Sequence, residues 1–398
     1  MKGQARHRFV FRLLQIALGP LIRRKFNYSS IRAKLANKPA IILPNHVTFW
    51  DPLLVGISFA TPMYFVSSDH IFRLGITSKI IQFLVDPIPR TKSDTDRKTV
   101  ISMFKRLRAG KNICIFPEGK MTWTGETDRL HATTARLIKR SGAALVTFRM
   151  IGGYLSQPRW SRYIRRGKMT GSVVREYSPA ELAKLSLDQI EEIIKEDLYE
   201  NAYERQRKEP QAYRGKKLAE NLELALYICP ACNSICSLKS HDDLFYCSCG
   251  YKVIYNEYGY FTGSDTEKPI FETVLDWSKW QNERVVDLAK DFKNMPLDHV
   301  IFEDKTETLW RIERARRSEL LGKGTLQLYK DRLVFKSPDK DYTFPLDKIS
   351  NLDIHGRSTI IFTTATDENY ELKSKHTRCA LKYQDFYRQL KTKKKGED

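Results

Sequence analysis

The first fifty residues contain no aspartate and no glutamate, although 29% of all residues in the chain are charged. Ten lysines and arginines fall in this acid-free segment. The whole chain carries a formal charge of +21. A positive excess of this kind favours an anionic partner, such as a lipid surface, a nucleic acid or a phosphorylated substrate.

The chain also lacks an apolar run of the roughly 20 residues that a transmembrane helix needs. The N-terminal run 9–18 is interrupted by Arg12 and is followed by Pro20. It lacks the small-residue cleavage pattern of a secretory signal. Residues 1–35 are therefore predicted to form a basic amphipathic helical segment that lies on an anionic membrane surface. The alternative is an ordinary amphipathic helix packed on the following domain.

Cysteine is scarce outside one cluster, which holds five of the seven cysteines. Four of these cysteines form two close pairs, Cys229 with Cys232 and Cys247 with Cys249, and fourteen residues separate the pairs. Two such pairs can place four thiolates around a tetrahedral Zn²⁺, as in a zinc ribbon. The sequence therefore predicts a structural zinc site within residues 227–263. Cys236 and His241 are spare and could each replace one of the four cysteines as a ligand. The alternative is a set of buried or redox-active thiols.

Short apolar runs alternate with helical patterns between about residues 39 and 171. The strand-like runs are 40–43, 63–67, 113–116 and 143–148. The helical patterns are 53–60, 99–109 and 130–141. Strands that alternate with helices predict an α/β fold with a mixed, largely parallel sheet covered by helices.

A histidine and an aspartate follow the first of these strands, as His46 and Asp51. Residues five apart lie about 140° from each other on an α-helix, so the two side chains need a turn to meet. Pro52 suits a first helical position, and Asp51 suits a helix N-cap before it. A histidine held by a carboxylate can take a proton from a hydroxyl. The alternative is a capping aspartate with an incidental histidine.

A second candidate motif, Phe116-Pro117-Glu118-Gly119-Lys120, follows the strand-like run at 113–116. Open α/β sheets bind their ligands at the carboxyl ends of their strands. Gly119 would let the backbone approach a ligand, and the ammonium group of Lys120 could meet a phosphate. The alternative is a plain surface turn.

In this order, Asn45-His46-x4-Asp51 and Phe116-Pro117-Glu118-Gly119 resemble the glycerolipid acyltransferase family, over roughly residues 30–180. The resemblance implies a membrane-associated enzyme that moves an acyl chain from a coenzyme A or acyl carrier protein thioester to the hydroxyl of a lysolipid acceptor. It implies that His46 is the general base and Asp51 its partner. The residues predicted to hold the acceptor are Asn45, Arg90, Glu118, Gly119 and Lys120. Among these, Arg90 corresponds best to the phosphate-binding arginine that the family carries between its two motifs.

The chain departs from the family pattern in three places. The segment 145–149, Leu-Val-Thr-Phe-Arg, stands where the family usually has a strand that ends in Pro-Val. Lys120 stands where the family commonly has threonine or serine. The segment 129–132, Arg-Leu-His-Ala, differs from the family's usual basic residue before a small one. The acceptor therefore need not be lysophosphatidic acid itself. His131 is interpreted as a satisfied surface or core histidine, with a second catalytic base as the alternative.

The C-terminal strand-like runs, followed by one helical pattern, resemble a PH-like or GRAM-type barrel that would dock lipid or protein. The expected segments are a basic helical segment 1–35, an acyltransferase domain 36–185, a charged helical arm 186–226, a zinc ribbon 227–263, an unassigned linker 264–323 and a PH-like domain 324–398.

We expect a peripheral or monotopic protein on the cytoplasmic side of a membrane. One rival hypothesis is a lipid-binding scaffold with a silent acyltransferase domain. A second is a zinc-ribbon protein that binds nucleic acid. The near-neutral ribbon region argues against the second, so no nucleic-acid partner is expected.

Overall fold

The structure is a computed structural model that describes residues 2–68, 82–90, 97–264, 268–312 and 318–391. Contacts between residues divide the chain into two units. The N-terminal unit consists of Met1–Arg159, Tyr163–Lys216 and Glu257–Gly259. The C-terminal unit consists of Trp160–Arg162, Lys217–Asn256 and Tyr260–Asp398. The finer domain boundaries expected from the sequence stay predictions.

The N-terminal unit is built on a seven-stranded sheet. Its strands are β1 Tyr28–Ser30, β2 Ala40–Pro44, β3 Met63–Ser68, β4 Ile88–Arg90, β5 Asn112–Cys114, β6 Ala144–Ile151 and β7 Met169–Tyr177. They lie in the order β1-β7-β6-β2-β5-β3-β4. Every neighbouring pair is parallel except β6 and β7, which are antiparallel. The prediction of a mixed, largely parallel sheet is confirmed.

Helices accompany the sheet in the N-terminal unit. They are α1 Lys2–Phe26, α2 Asp51–Ser58, α3 Arg97–Arg108, α4 Thr133–Ser141, α5 Gly153–Ser156, α6 Pro179–Lys184, α7 Leu187–Leu198 and α8 Ala202–Lys208. Ser178 and Ser186 begin α6 and α7 with reciprocal capping boxes, which satisfy backbone N–H groups at both helix starts. Gly142 ends α4 in the left-handed conformation that glycine adopts readily.

Strand β2 shows why helices cover both faces of this sheet. Its residues Ala40–Pro44 are all buried. Ile42 belongs to one hydrophobic cluster, and Ile41 and Leu43 belong to another. Because successive strand side chains point to opposite faces, an uninterrupted apolar strand contributes to a core on each face.

Two segments differ from their sequence-based description. The segment 1–35 was predicted to be helical, but α1 ends at Phe26 and Tyr28–Ser30 joins the edge of the sheet beside β7. Residues 186–226 were predicted to form a charged helical arm, and helices α7 and α8 lie there. Helix α7 in that segment instead packs its apolar face into the α/β core. The apolar residues of that face are Ile190, Ile194 and Leu198.

Two antiparallel sheets form the framework of the C-terminal unit. The first has the order β11-β10-β9-β8 and consists of β8 Leu238–His241, β9 Leu244–Cys247, β10 Lys252–Tyr255 and β11 Phe261–Gly263. The second has the order β15-β14-β13-β12-β18-β17-β16. Its strands are β12 Phe302–Ile312, β13 Ser318–Leu328, β14 Arg332–Lys336, β15 Tyr342–Pro345, β16 Ile349–His355, β17 Thr359–Thr364 and β18 Asn369–Ser374.

The helices of this unit are α9 Val274–Asn294 and α10 Leu381–Leu390. Short 3₁₀ turns lie at Leu222–Leu224 and Leu346–Lys348. Helix α9, all of β12 and the first part of β13 fall in the segment 264–323, which the sequence left unassigned. The larger sheet therefore begins before residue 324. Its likeness to a PH-like barrel stays a prediction.

Within the part of the chain that the structure describes, no helix is both long enough and apolar enough to cross a membrane.

Candidate functional site

The 46–51 loop closes around the carboxylate of Asp51. Helix α2 begins at Asp51, which turns its side chain back toward the loop that precedes it. One oxygen, Oδ2, accepts hydrogen bonds from the backbone N–H groups of Val47 at 2.7 Å and Thr48 at 2.9 Å. The other, Oδ1, accepts from the Thr48 hydroxyl at 2.7 Å. A fully buried carboxylate needs such donors, because they replace the water that it loses.

His46 completes this network. Its Nδ1 lies 2.8 Å from Asp51 Oδ2, so the two predicted side chains do meet. A carboxylate at this distance favours a proton on Nδ1, which leaves a lone pair on Nε2 in the neutral ring. The imidazole stacks on Phe116 with a centroid separation of 4.3 Å, and 18% of its side chain is exposed. The arrangement presents a basic nitrogen at the carboxyl end of β2.

Glu118 connects the two sequence motifs. Its Oε1 accepts from the backbone N–H of His46 at 2.7 Å, and its Oε2 accepts from that of Asp128 at 2.9 Å. The side chain is only 3% exposed. Burial raises the pKa of Glu118 to about 8, although the two N–H donors favour its ionised form. The carboxyl group of Glu118 therefore positions the backbone of the 46–51 loop at His46.

Gly119 brings Arg90 into the same region. The φ angle of Gly119 is +69°, a conformation that side chains disfavour. A Cβ at this position would lie 2.6 Å from His131 Nε2 and 3.3 Å from Arg90 Nη1. The absence of a side chain at Gly119 thus lets two nitrogen-bearing side chains approach the turn.

The other two residues predicted to bind the acceptor have partners of their own. Lys120 Nζ forms an ion pair with Asp128 at 3.0 Å. Asn45 is fully buried, and its side chain both donates to and accepts from the backbone of Met150. Asn45 therefore holds the end of β2 against β6, and we assign it a positioning role in place of the predicted contact with acceptor.

The sequence did not single out several residues that build this site. Thr48 supplies two donors to Asp51, and Thr122 donates its backbone N–H to the carbonyl of His46 at 3.1 Å. Phe116 was noted only as part of the turn. His131 was interpreted as a satisfied surface or core histidine, and its Nε2 does have a partner, Arg90 Nη2 at 3.4 Å. Only the folded chain brings together residues so far apart in sequence.

A separate cluster lies in the C-terminal unit, where the four predicted cysteines converge. Their sulfur atoms all lie within 4.8 Å of one another. The Cys229–Cys249 and Cys232–Cys247 sulfur pairs are 3.8 and 3.7 Å apart. These distances exceed the roughly 2.05 Å of a disulfide. They match the edge of about 3.8 Å that Zn–S bonds of about 2.3 Å produce in a tetrahedron.

Cys236 and His241 lie outside this group of four. Cys236 Sγ accepts a hydrogen bond from Lys382 Nζ at 3.3 Å. The side chain of His241 is 77% exposed and lies beside Asp242. The donor set therefore fits zinc with the four predicted cysteines alone.

Comparison with known proteins agrees with the geometry of the first site. A family model described as Acyltransferase matches residues 25–151. This range contains both motifs and strands β1–β6 of the sheet.

Among solved structures, the chain is similar to the 1-acyl-sn-glycerophosphate (LPA) acyltransferase PlsC from Thermotoga maritima. The identity is 16%, the TM-score is 0.42, and the match covers 50% of this chain and 80% of that one. The C-terminal domain of an unknown protein from Leishmania infantum matches at 15% identity and a TM-score of 0.19. That match covers 26% of this chain and 94% of that one.

The family match spans the loop that joins His46 to Asp51 and the turn that carries Glu118 and Gly119. Both motifs lie at the carboxyl edge of a largely parallel sheet, where such folds bind substrates. Residues 25–151 therefore form a domain of the acyltransferase family, in agreement with the family that the two motifs resemble, and the chain is an O-acyltransferase.

Proposed function

We propose that the chain moves an acyl group from a coenzyme A or acyl carrier protein thioester to a hydroxyl of a lysophospholipid-type acceptor, with His46 as the general base. The observation that carries this proposal is the 2.8 Å contact between His46 Nδ1 and Asp51 Oδ2. It orients the ring so that Nε2 is the nitrogen able to receive a proton.

The reaction needs one proton transfer in each direction. Nε2 takes the proton of the acceptor hydroxyl while the hydroxyl oxygen bonds to the carbonyl carbon of the thioester. Asp51 stabilises the imidazolium that forms. The tetrahedral intermediate then collapses, the carbon–sulfur bond breaks, and the imidazolium returns the proton to the leaving thiolate. An ester and a free thiol result, without a covalent enzyme intermediate.

Arg90 is the proposed ligand of an acceptor phosphate. Its guanidinium group reaches the turn at Gly119, which directly follows Glu118. Glu118 in turn holds the backbone of His46. A phosphate bound by Arg90 would therefore lie on the same edge of the sheet as the base. Arginine suits this role because its N–H groups can bind two phosphate oxygens together.

A membrane surface is the proposed location, and helix α1 supports it. Phe9, Leu13 and Ile16 are 68%, 51% and 75% exposed. At about 100° per residue they form one stripe roughly 60° wide. Arg6 and Arg12 flank the stripe, one on each side. Exposed apolar residues between cations are typical of a helix that lies in the interface of an anionic bilayer.

A structural zinc ion is the proposed occupant of the four-cysteine cluster. The cysteines would bind it as thiolates and join the 229–232 turn to strand β9 and the turn that follows it. Zinc with four protein ligands has no open position for a substrate, so it would support the fold alone. Thiolates need a reducing compartment, which agrees with a site on the cytoplasmic side of a membrane.

Mass analysis of reaction products tests the proposed activity. The purified chain is incubated with labelled acyl-CoA or acyl-ACP and a panel of lysolipids. We expect wild type to acylate at least one acceptor and His46→Ala to lose activity by about 10²–10⁴-fold, since a general base contributes this much.

The matched control is His299→Ala, which removes an exposed histidine of the C-terminal unit and should keep the wild-type rate. Both variants should retain their fold and metal content. Full activity of His46→Ala would overturn the mechanism. A wild-type chain that binds lipids but acylates none would favour the silent scaffold.

A further inference from the structure

A pair of basic side chains lies directly over the turn at Gly119. Arg90 Nη2 and His131 Nε2 are 3.4 Å apart. The position that a Cβ of Gly119 would occupy lies 2.6 Å from His131 Nε2 and 3.3 Å from Arg90 Nη1. The two residues are 41 positions apart in sequence, so the fold alone brings them together.

The backbone of His131 is held at both sides. Its N–H donates to the carbonyl of Pro117 at 3.1 Å, which ties it to the turn that carries Glu118 and Gly119. Its carbonyl accepts from the N–H of Thr134 at 2.9 Å, within the first turn of α4. His131 is thus placed by the same turn that holds the histidine loop.

The two carboxylates that the structure describes on the turn at Gly119 and beside it, Glu118 and Asp128, have partners of their own. The two oxygens of Glu118 accept from the backbone of His46 and Asp128. The side chain of Asp128 pairs with Lys120 and accepts from the backbone of Arg129. Among the described residues, the charged groups at the end of β4, in the 117–120 turn and in the segment 128–136 are Arg90, Glu118, Lys120, Asp128, Arg129 and Arg136. Four of these six are cationic, which favours an anion beside His131.

We propose that His131 is a second ligand of the acceptor phosphate, together with Arg90, and that its protonation makes acceptor binding depend on pH. This inference rests on the proposed function for the identity of the anion. In the structure an Arg90 donor faces Nε2, as suits a neutral ring that accepts. A phosphate oxygen between the two groups requires Nε2 to donate, so Nε2 must carry a proton when the acceptor is bound.

The direction of the pH effect follows from this requirement. Histidine side chains in proteins change charge between about pH 5 and about pH 8. A ring with both protons presents the phosphate with a second cation beside Arg90. When the free ring is neutral, binding must take up a proton, so the affinity for the acceptor falls as the pH rises. Arg90 keeps its charge throughout this range and provides the part of the binding that does not change with pH.

Steady-state kinetics with two acceptors test the proposal. The acceptors are a 1-acylglycerol phosphate and the matching monoacylglycerol without phosphate. The proteins are wild type, His131→Gln and His131→Lys. For the phosphate acceptor, we expect the wild-type KM to rise about tenfold between about pH 6 and about pH 8, as for the loss of one charge-assisted hydrogen bond. His131→Gln should have the high KM at both pH values and His131→Lys the low one, with kcat little changed.

Two controls separate His131 from other titrating groups. The acceptor phosphate also ionises near pH 6. This ionisation is the same for all three proteins, so its effect cancels when each KM is divided by the KM of His131→Lys at the same pH. Glu118 would affect both acceptors alike, whereas a phosphate ligand affects only the phosphorylated one. A wild-type pH profile in His131→Gln, or an equal change with monoacylglycerol, would overturn the proposal.

Binding of glycerol 3-phosphate without an acyl donor decides the anion site independently of catalysis. Titration calorimetry should give wild type an affinity about tenfold higher at about pH 6 than at about pH 8. His131→Gln should lose this difference, and its persistence would contradict the role of His131. If wild type transfers no acyl group to any acceptor, the proposed function is wrong. The calorimetric result still decides whether Arg90 and His131 bind a phosphate.

Discussion

The residues that meet at the histidine site differ in how far the sequence could reveal them. His46 and Asp51 lie five positions apart, and the need for a turn between them follows from helix geometry. Their contact at 2.8 Å agrees with that reasoning. The pairing of Arg90 with His131 spans 41 positions and two separate elements. Local sequence patterns carry no information about such contacts.

Glu118 provides a test at the scale of one residue. Burial raises its pKa to about 8, against about 4.3 for a free glutamate. Between these values the folded chain keeps a proton that the unfolded chain has released, so the free energy of unfolding falls as pH rises. We expect wild type to lose up to about 1.4 kcal/mol per pH unit relative to Glu118→Gln in this window. Denaturation at about pH 5 to about pH 9 measures it.

Glu181 offers a matched control for this experiment. It is exposed, and hydrogen bonds from Ser178 lower its pKa. Glu181 is therefore ionised in both the folded and the unfolded chain above about pH 5. The stability of wild type relative to Glu181→Gln should stay constant over the same range. A flat profile for Glu118→Gln as well would show that Glu118 is ionised throughout.

At the scale of elements, buried apolar runs were the reliable signal. Strands β2, β3 and β6 were predicted close to their observed positions, because sheets covered on both faces need continuous apolar segments. Strands β1 and β4 have only three residues each and were missed. Strand β12 was also missed, because its 11 residues alternate charged, polar and apolar side chains on a partly exposed sheet. A pattern of that kind is also typical of loops.

Helix α1 provides the test at this scale. Replacing its exposed stripe by Phe9→Ser, Leu13→Ser and Ile16→Ser should weaken membrane binding more than about 100-fold, since each buried side chain contributes about 1.5–3 kcal/mol. Co-sedimentation with vesicles of phosphatidylglycerol and phosphatidylcholine measures the bound fraction. Added salt should weaken binding further, because Arg6 and Arg12 contribute about 1 kcal/mol each near an anionic surface.

Leu297→Ser is the matched control for the α1 variant, since it removes an apolar side chain that is 60% exposed in the C-terminal unit. Its binding to vesicles should equal that of wild type. If the triple variant sediments as wild type does, helix α1 is not the membrane-binding element.

At the scale of the whole molecule, the sequence could not show how the chain divides. Trp160–Arg162 belongs to the C-terminal unit, although the residues on both sides belong to the N-terminal one. Glu257–Gly259 belongs to the N-terminal unit, although its neighbours belong to the C-terminal one. Domain boundaries predicted from a sequence divide it into continuous segments. They therefore cannot reveal short segments that belong to the other unit.

Metal content provides the test at this scale. We expect one zinc ion per purified chain, measured by elemental analysis, and its loss in Cys247→Ser. A chelator should make the C-terminal unit susceptible to protease, because the smaller sheet would lose the link between its two cysteine pairs. Cys236→Ser is the matched control and should retain the metal. Zinc retained by Cys247→Ser, or absent from wild type, would contradict the site.

The 46–51 loop has a consequence for how such an enzyme diversifies. The hydrogen-bond donors to Asp51 come from the five residues that precede it. The groups around Gly119 come from separate parts of the chain. On the proposed roles, substitutions at Arg90 or His131 would change acceptor recognition without removing a hydrogen-bond donor to Asp51. The proposed site thus combines a recognition surface that can vary with a loop whose hydrogen bonds to Asp51 are local.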